Sequence, residues 1–164
     1  MGKDAYTLYI KGILGSLEDT VEILDLFYYN SNTYSTNSVN LNVNLPTGAF
    51  KLEYDSTPTS RDSSCPYLDI GRSSNDRLLV GQYARAGGNG IIIYQTSSTI
   101  HGLPNNSSLN AVNHYTFIYG GSNYKIDRDG ENLTVTSTGV HFDKIIHVEG
   151  GGGGTLTNIK VHKL

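Results

Sequence analysis

Apolar and polar residues alternate in short runs along almost the whole chain, and clusters of Gly, Asn, Ser, Pro and Asp separate the runs. The clearest run is Val39-Asn-Leu-Asn-Val-Asn-Leu45, which puts its apolar residues on one face and its asparagines on the other. Because successive side chains of a strand point to opposite faces, this pattern predicts half-buried β-strands. A chain of many such strands must close its apolar faces in two stacked sheets or a barrel.

We predict one all-β domain over residues 1–164, with an antiparallel two-sheet jelly-roll sandwich as its architecture. The runs at 78–80 and 90–94 do not alternate, which is typical of central strands. Residues 56–66 and 97–113 are polar and aperiodic, so we expect loops there, with a short strand near 99–103. Residues 16–24 could instead begin a helix, although we favour a strand. The predicted strands are 6–14, 20–28, 38–45, 50–55, 67–72, 77–83, 90–95, 115–119, 124–126, 132–136, 144–148 and 156–162.

The composition narrows the classes of function. Charged residues make up 16% of the chain, the formal net charge is −3 and the pI is near 5.9. Without a basic patch, nucleic-acid binding is not expected. The sequence has no apolar run long enough to span a bilayer, so we expect no membrane insertion. The neutral polar surface is typical of extracellular, cell-surface or virion β-proteins, and the start at Met1 leads us to expect a piece excised from a larger protein.

Cys65 is the single cysteine, so no disulfide can form within the chain. No activating partner is near it in the sequence, and we interpret it as a bystander. The histidines have no zinc-like spacing, and we expect surface or cross-strand packing roles for them.

The segment from His114 to Val135 contains strand, Gly-rich turn and strand, followed by a hairpin with Asp129-Gly130 at its tip. Together with the run Gly71 to Gly81 and the closing strand 156–162, it resembles the concanavalin-A-like (laminin-G-like) lectin and glucanase superfamily of jelly rolls. The resemblance covers residues 45–164. Residues 1–44 lie outside it, and we expect them to form edge strands or a bridge to a neighbouring domain.

The resemblance implies two kinds of site to look for. Glucanases of this fold carry Glu-x-Asp-x-x-Glu on one strand, and Glu53-Tyr-Asp55 matches its first half, but Pro58 holds the third position. Two solvent-facing carboxylates are the simpler interpretation. Lectins of this fold commonly use calcium, for which Asp127-Arg-Asp129-Gly130 is a weak candidate that turn formation explains better. We therefore expect no cofactor. Asp62, Asp69 and Asp76 could meet in space.

Twelve tyrosines and no tryptophan point to recognition through tyrosine, although most tyrosines are expected to be half-buried strand residues. Residues 82–89 form the predicted loop between two central strands. In this loop Tyr83 offers a ring for stacking, Arg85 a forked hydrogen-bond donor, and Asn89 an amide that can both donate and accept hydrogen bonds. The predicted ligand-binding residues are Tyr83, Arg85, Asn89, Tyr94, Tyr119 and Asn123.

The leading hypothesis is a non-catalytic carbohydrate-binding or adhesion module of a phage, virus or microbial surface protein, with a glycan or cell-surface receptor as its partner. One alternative is a structural spacer that mediates assembly into a homo-oligomer. Another is a glycosidase or lyase of the same fold, which would require two carboxylates facing each other across a groove.

Overall fold

A computed structural model describes residues 25–35, 38–60, 66–73, 76–81, 90–94, 98–103, 108–121, 123–136, 141–149 and 153–164. These residues contain strands and no helix, and accordingly none of their segments is a helix that could cross a membrane. The strands are β1 (Asp25–Asn30), β2 (Ser38–Asn44), β3 (Phe50–Pro58), β4 (Tyr67–Ser73), β5 (Asp76–Gly81), β6 (Gly90–Tyr94), β7 (Ser98–Gly102), β8 (Asn113–Tyr119), β9 (Asn123–Arg128), β10 (Glu131–Thr136), β11 (Lys144–Glu149) and β12 (Gly154–Lys163).

The strands form two six-stranded antiparallel sheets. The first sheet has the order β1-β12-β3-β8-β9-β10, and the second has the order β2-β11-β4-β5-β6-β7. Strands β4 to β7 are paired in chain order in the second sheet, and β8 to β10 are paired in chain order in the first. Strand β11 then joins the second sheet, and β12 joins the first. The all-β, two-sheet prediction is confirmed.

The alternating pattern predicts the faces of β3 correctly, whereas in β2 Leu41 and Val43 are half-buried but Val39 is 38% exposed. In β3, Phe50, Leu52 and Tyr54 are buried, while the residues between them are half-buried. In β5, Leu78, Leu79 and Val80 are all buried, which confirms that this non-alternating strand is central. Asp129 and Gly130 both have positive φ, 51° and 90°, and form the predicted hairpin tip between β9 and β10.

One segment differs from expectation, and two others cannot be compared with it. The predicted loop 56–66 begins too early, because β3 continues through Ser56 and Thr57 to Pro58, which pairs with Gly154 of β12. Pro58 faces the β8 side of β3, where the strand pairing has already ended at Ser56, so its missing amide hydrogen removes no hydrogen bond between the two strands. The strand predicted at 6–14 and the segment 16–24 lie outside the described residues.

The core lies between the sheets and is rich in aromatic rings. Tyr54 and Tyr115 stack with ring centroids 5.0 Å apart and planes 3° from parallel. The Tyr54 hydroxyl crosses to the other sheet and donates a 2.6 Å hydrogen bond to the carbonyl of Val80. At one end of the sandwich, Phe142 packs against Phe117 and Tyr119 with centroid distances of 5.2 and 4.9 Å. These contacts fix how the two sheets face each other.

Candidate functional site

The outer face of the first sheet carries a concentration of polar side chains. Because Leu52 and Tyr54 of β3 face the core, Lys51, Glu53 and Asp55 point outward from the same strand. The sequence predicted that both carboxylates share one strand face, and the structure confirms it. Strand register then determines which side chains from β8 and β12 surround them.

The register brings two neighbouring strands against β3. His114 and Thr116 of β8 lie opposite Asp55 and Glu53, and Lys160 of β12 lies opposite Glu53 on the other side. Directly opposite residues have side chains about 5 Å apart, close enough to interact. The polar groups of three strands therefore meet on one rigid surface.

Asp55 is the centre of this arrangement. His114 Nδ1 lies 2.5 Å from its Oδ1, and Asn158 Nδ2 donates a 2.7 Å hydrogen bond to its Oδ2. The carboxylate is therefore oriented by one side chain from each neighbouring strand. The His114 side chain is 69% exposed, which leaves the far edge of its ring open to solvent.

A β-bulge explains how Asn158 reaches the site. The pairing of β12 with β3 shifts between Thr157 and Lys160, and Asn158 has a positive φ of 56°. Bulges re-aim side chains, and asparagine tolerates this backbone conformation better than most residues. The bulge lets the Asn158 amide meet Asp55, a contact that strict alternation along the strand does not indicate.

Glu53 is held in a similar way. Lys51 Nζ lies 3.0 Å from Oε1, and His162 Nε2 lies 2.9 Å from Oε2 without hydrogen-bonding geometry. Lys160, on the same face, extends its ammonium to 5.9 Å from the centroid of the Tyr29 ring. The cationic and anionic groups are interleaved, so this face carries no block of one charge.

These residues surround a shallow depression of about 200 Å³. It is lined by Glu53, Tyr54, Asp55, His114, Tyr115, Thr116, Asn158 and Lys160. Hydroxyl, amide, imidazole, ammonium and carboxylate groups occur together within it, and the half-exposed Tyr29 ring stands beside Lys160. Such a surface can both donate hydrogen bonds to hydroxyl groups and accept hydrogen bonds from them.

Of the six residues predicted from sequence to bind ligand, the structure describes Tyr94, Tyr119 and Asn123, and none of these three lines the depression. Tyr83, Arg85 and Asn89 lie outside the described residues. Tyr94 ends β6 in the second sheet, whereas Tyr119 and Asn123 flank the β8–β9 turn in the first, so the strand adjacency that would join them is not formed. Tyr119 packs against Phe50 and Phe142, and its hydroxyl donates to the Gly121 carbonyl.

The two carboxylates of the calcium candidate, Asp127 and Asp129, both accept hydrogen bonds from backbone amides. Asp127 accepts a hydrogen bond from the Gly130 amide at 2.9 Å, and Asp129 accepts one from the His114 amide at 3.0 Å. In the part of the chain that the structure describes, no group of three or more His, Cys, Asp or Glu residues is arranged to hold a metal ion. The Asp127 carboxylate thus closes the turn, whereas the Asp129 carboxylate contacts the neighbouring strand β8.

Asp69 and Asp76, two of the three aspartates predicted to converge, are engaged separately, and Asp62 lies outside the described residues. Asp76 contacts His141. Asp69 is fully buried on the outer side of the second sheet, 2.6 Å from Arg77 and 3.3 Å from His147. Burial raises the pKa of Asp69 above its usual 3.8, although both cations act to lower it. We interpret Asp69 as a structural carboxylate.

No family model matches the sequence, and no curated protein matches it. Solved structures do. Domain 4 of AbnA, an extracellular arabinanase from Geobacillus stearothermophilus determined in complex with arabinotriose, aligns with a TM-score of 0.66 and 8% identity over 85% of this chain and 93% of that domain. Chicken galectin 2 aligns with a TM-score of 0.53 and 13% identity, over 83% of this chain and 98% of the galectin.

Galectin LEC-6 from Caenorhabditis elegans aligns with a TM-score of 0.51 and 17% identity, over 82% and 94% of the two chains. The fold is a concanavalin-A-like jelly roll. Identities this low show the fold alone, because a common scaffold hosts many unrelated functions.

Proposed function

We propose that this chain is a non-catalytic carbohydrate-binding module and that it binds its glycan on the outer face of the first sheet. The observation that carries the proposal is the depression around Asp55, where β3, β8 and β12 each contribute a polar side chain to a preformed surface.

The chemistry of this face suits a sugar. A sugar presents closely spaced hydroxyls that donate and accept hydrogen bonds, together with apolar C–H surfaces. Asp55, Asn158 and His114 supply oriented planar groups for the hydroxyls, and Tyr29 supplies a half-exposed ring for an apolar face. Because these groups lie on paired strands, little ordering is needed on binding.

The comparisons support this ligand class without assigning residues. The arabinanase domain, which covers most of this chain, is described in complex with arabinotriose. We extend to this chain only the class of ligand, an oligosaccharide.

The alternative of a glycosidase is less well supported. Among the residues that the structure describes, Glu53 and Asp55 are the carboxylates that line the depression, and they lie two residues apart on one strand, so no described carboxylate faces them across it. Both are also held by protein side chains. Glycoside hydrolysis needs an acid and a partner carboxylate flanking the bond to be cleaved.

We further propose that the module acts outside the cell, on a phage, virus or microbial surface. The low content of charged residues, 16%, and the many neutral polar residues of the sequence motivate this placement. The predicted recognition loop 82–89, with Tyr83, Arg85 and Asn89, remains part of the proposal as a second contact for the glycan or receptor.

A glycan array followed by calorimetry with the best-binding glycan tests the proposal. Lys160→Ala removes a group that lines the depression, and Lys125→Ala removes an exposed lysine of β9 outside it. We expect Lys160→Ala to weaken binding about tenfold and Lys125→Ala to leave it unchanged, because only the first loses a ligand contact. Asn158→Gly, which keeps the positive φ accessible, should weaken binding to a similar extent.

Equal effects of the two lysine variants would indicate nonspecific electrostatics and contradict the site. If Tyr83→Ala or Arg85→Ala abolishes binding while Lys160→Ala does not, the glycan binds at the loop instead. Absence of any array signal would contradict carbohydrate binding itself.

A second function, assembly into a larger structure, is favoured by β1, which lies at one edge of the first sheet in the part of the chain that the structure describes. Leu26, Phe27 and Tyr29 are 54%, 50% and 50% exposed, an unusual concentration of apolar surface on one short strand. Light scattering of the purified chain tests this function. A dimer or higher oligomer that Phe27→Lys converts to a monomer would support it, and a monomeric parent chain would contradict it.

A further inference from the structure

A groove of about 480 Å³ lies at the end of the sandwich where the chain passes from β2 to β3. It shares no lining residue with the depression around Asp55. Its lining residues are Asn44, Leu45, Pro46, Thr47, Gly48, Tyr119, His141, Phe142 and Asp143. Its volume falls within the range of small-ligand sites.

The floor of the groove is apolar and fixed in position. The rings of Tyr119 and Phe142 meet edge to face with centroids 4.9 Å apart and planes at 66°. The Tyr119 hydroxyl donates a 2.8 Å hydrogen bond to the Gly121 carbonyl, which ties the ring to its own turn. Leu45 and Pro46 are buried beside the rings. The floor therefore offers aromatic and aliphatic carbon without side-chain rearrangement.

Hydrogen bonds from Leu45, Arg72 and His141 hold the walls of the groove in place. The Leu45 amide donates to the Asp143 carbonyl at 2.8 Å, which joins the two sides of the groove. Arg72 Nε donates to Asp143 Oδ2 at 2.7 Å. The His141 amide donates to Asp76 Oδ1 at 3.0 Å, and its ring Nδ1 lies 2.8 Å from Asp76 Oδ2. The groove is thus preformed, which lowers the entropic cost of binding.

The charges at the rim are matched within the protein. The Asp143 carboxylate pairs with Arg72, and the His141 ring contacts the Asp76 carboxylate, so the polar groups at the rim already have partners within the protein. Asn44 and Thr47 add an exposed amide and an exposed hydroxyl. A neutral molecule with an apolar face and hydroxyls at its edge fits this combination, whereas a charged ligand gains nothing from it.

We infer that this groove is a second carbohydrate-binding site, which accepts one neutral sugar ring with its apolar face on Tyr119 and Phe142. The inference takes its ligand class from the proposed function and uses none of the residues of the first site. A chain with both sites can bind two sugar units of one glycan, and the gain in affinity then depends on whether the glycan spans them.

Amide chemical shifts of the ¹⁵N-labelled chain distinguish the two sites. The probes are arabinotriose, xylotriose and cellotriose, all neutral oligosaccharides of different geometry. We expect the amides of Thr47, Gly48 and Gly121 to shift at the groove, separately from those of Asp55, His114 and Thr116 at the depression. Thr47→Trp fills the groove from an exposed turn position, and Thr134→Trp places the same ring on an exposed position of β10 as a control.

With at least one probe, Thr47→Trp should lower the affinity reported by the groove amides about tenfold, and Thr134→Trp should not. If Thr47→Trp fails to give a folded spectrum, Asn44→Ala replaces it with the same expectation. Shifts at the depression alone would overturn this inference and leave the proposed function standing. Groove shifts that survive both groove variants would also overturn it, and no shift at either site with any probe would overturn both.

Discussion

His114 of β8 and Asp55 of β3 are directly opposite in the first sheet, and the imidazole Nδ1 lies 2.5 Å from the carboxylate Oδ1. Asn158, from the strand on the other side of β3, donates to the second oxygen at 2.7 Å. The three residues are far apart in sequence and converge only through strand pairing. Their contacts are exposed or partly exposed, so they stabilise the fold little, and under the proposed function they orient the carboxylate for the glycan.

The first prediction separates those two effects. Asp55→Asn removes the negative charge and leaves a planar side chain of the same size. We expect its free energy of unfolding to stay within about 0.5 kcal/mol of the parent value, as for other surface substitutions. Glycan affinity should fall about tenfold, because a charge-assisted hydrogen bond becomes a neutral one. Urea unfolding and calorimetry measure the two quantities, and a large loss of stability with unchanged affinity would contradict the assignment.

The second prediction concerns the hydrogen bond from the Tyr54 hydroxyl to Val80, which joins the two sheets inside the core. Tyr54→Phe should lower the free energy of unfolding by about 1 to 2 kcal/mol, because a buried hydrogen bond is lost and its acceptor stays buried. Tyr29→Phe, on an exposed ring, is the control and should change stability little. Equal effects of the two substitutions in urea unfolding would show that the inter-sheet bond contributes nothing.

The third prediction is that Tyr54 makes the stability of the chain depend on pH in the alkaline range. Burial raises the pKa of Tyr54 well above its usual 10.0, and Tyr115 raises it further, while Arg128 opposes them. Above pH 10.0 the unfolded chain therefore releases this proton before the folded chain does, so stability falls as the pH rises. Tyr54→Phe should make the alkaline loss of stability less steep. An unchanged slope in unfolding measurements above that pH would contradict it.

Much of this architecture follows from local pattern. Alternation placed Glu53 and Asp55 on one face, and Asp129-Gly130 marked the hairpin, because side-chain direction and turn chemistry are properties of neighbouring residues. The partners of Asp55 could not be predicted in the same way. They depend on the register of β3 with β8 and on a bulge at Asn158, which are set by packing between distant segments.

The same distinction between local pattern and strand pairing explains why two of the predicted ligand-binding residues are not brought together. Tyr94 and Tyr119 both look like surface tyrosines near strand ends, yet they belong to different sheets. The residues within a strand do not indicate which of the two sheets that strand joins. The sequence predicts surface or cross-strand packing roles for the histidines, and only strand pairing shows that His114 and His162 each lie beside a carboxylate.

The fourth prediction concerns Asp69, the buried carboxylate of the second sheet. Since burial raises the pKa of Asp69, the folded chain holds this proton more tightly than the unfolded chain, and the carboxylate's contribution to stability declines as the pH rises above 3.8. Asp69→Asn abolishes this decline. The stability of the variant relative to the parent should therefore improve with rising pH in urea unfolding, whereas the exposed Asp25→Asn control should show no such trend. A relative stability that worsens with pH would mean that the pairing with Arg77 outweighs burial.

The fifth prediction concerns the close approach of β4 and β5 at Gly81, which has a φ of +147°. A Cβ at this position would lie 2.5 Å from the Pro66 carbonyl oxygen and 2.7 Å from the Tyr67 Cα, both of them backbone atoms with little freedom to move. Gly81→Ala should therefore lower the free energy of unfolding by about 2 kcal/mol or more. Gly120→Ala is the matched control, because its Cβ would come no closer than 3.8 Å to any neighbour. If both variants unfold at the same urea concentration as the parent, β4 and β5 are not packed as closely as this register requires. The second sheet must then have room for a methyl group at position 81.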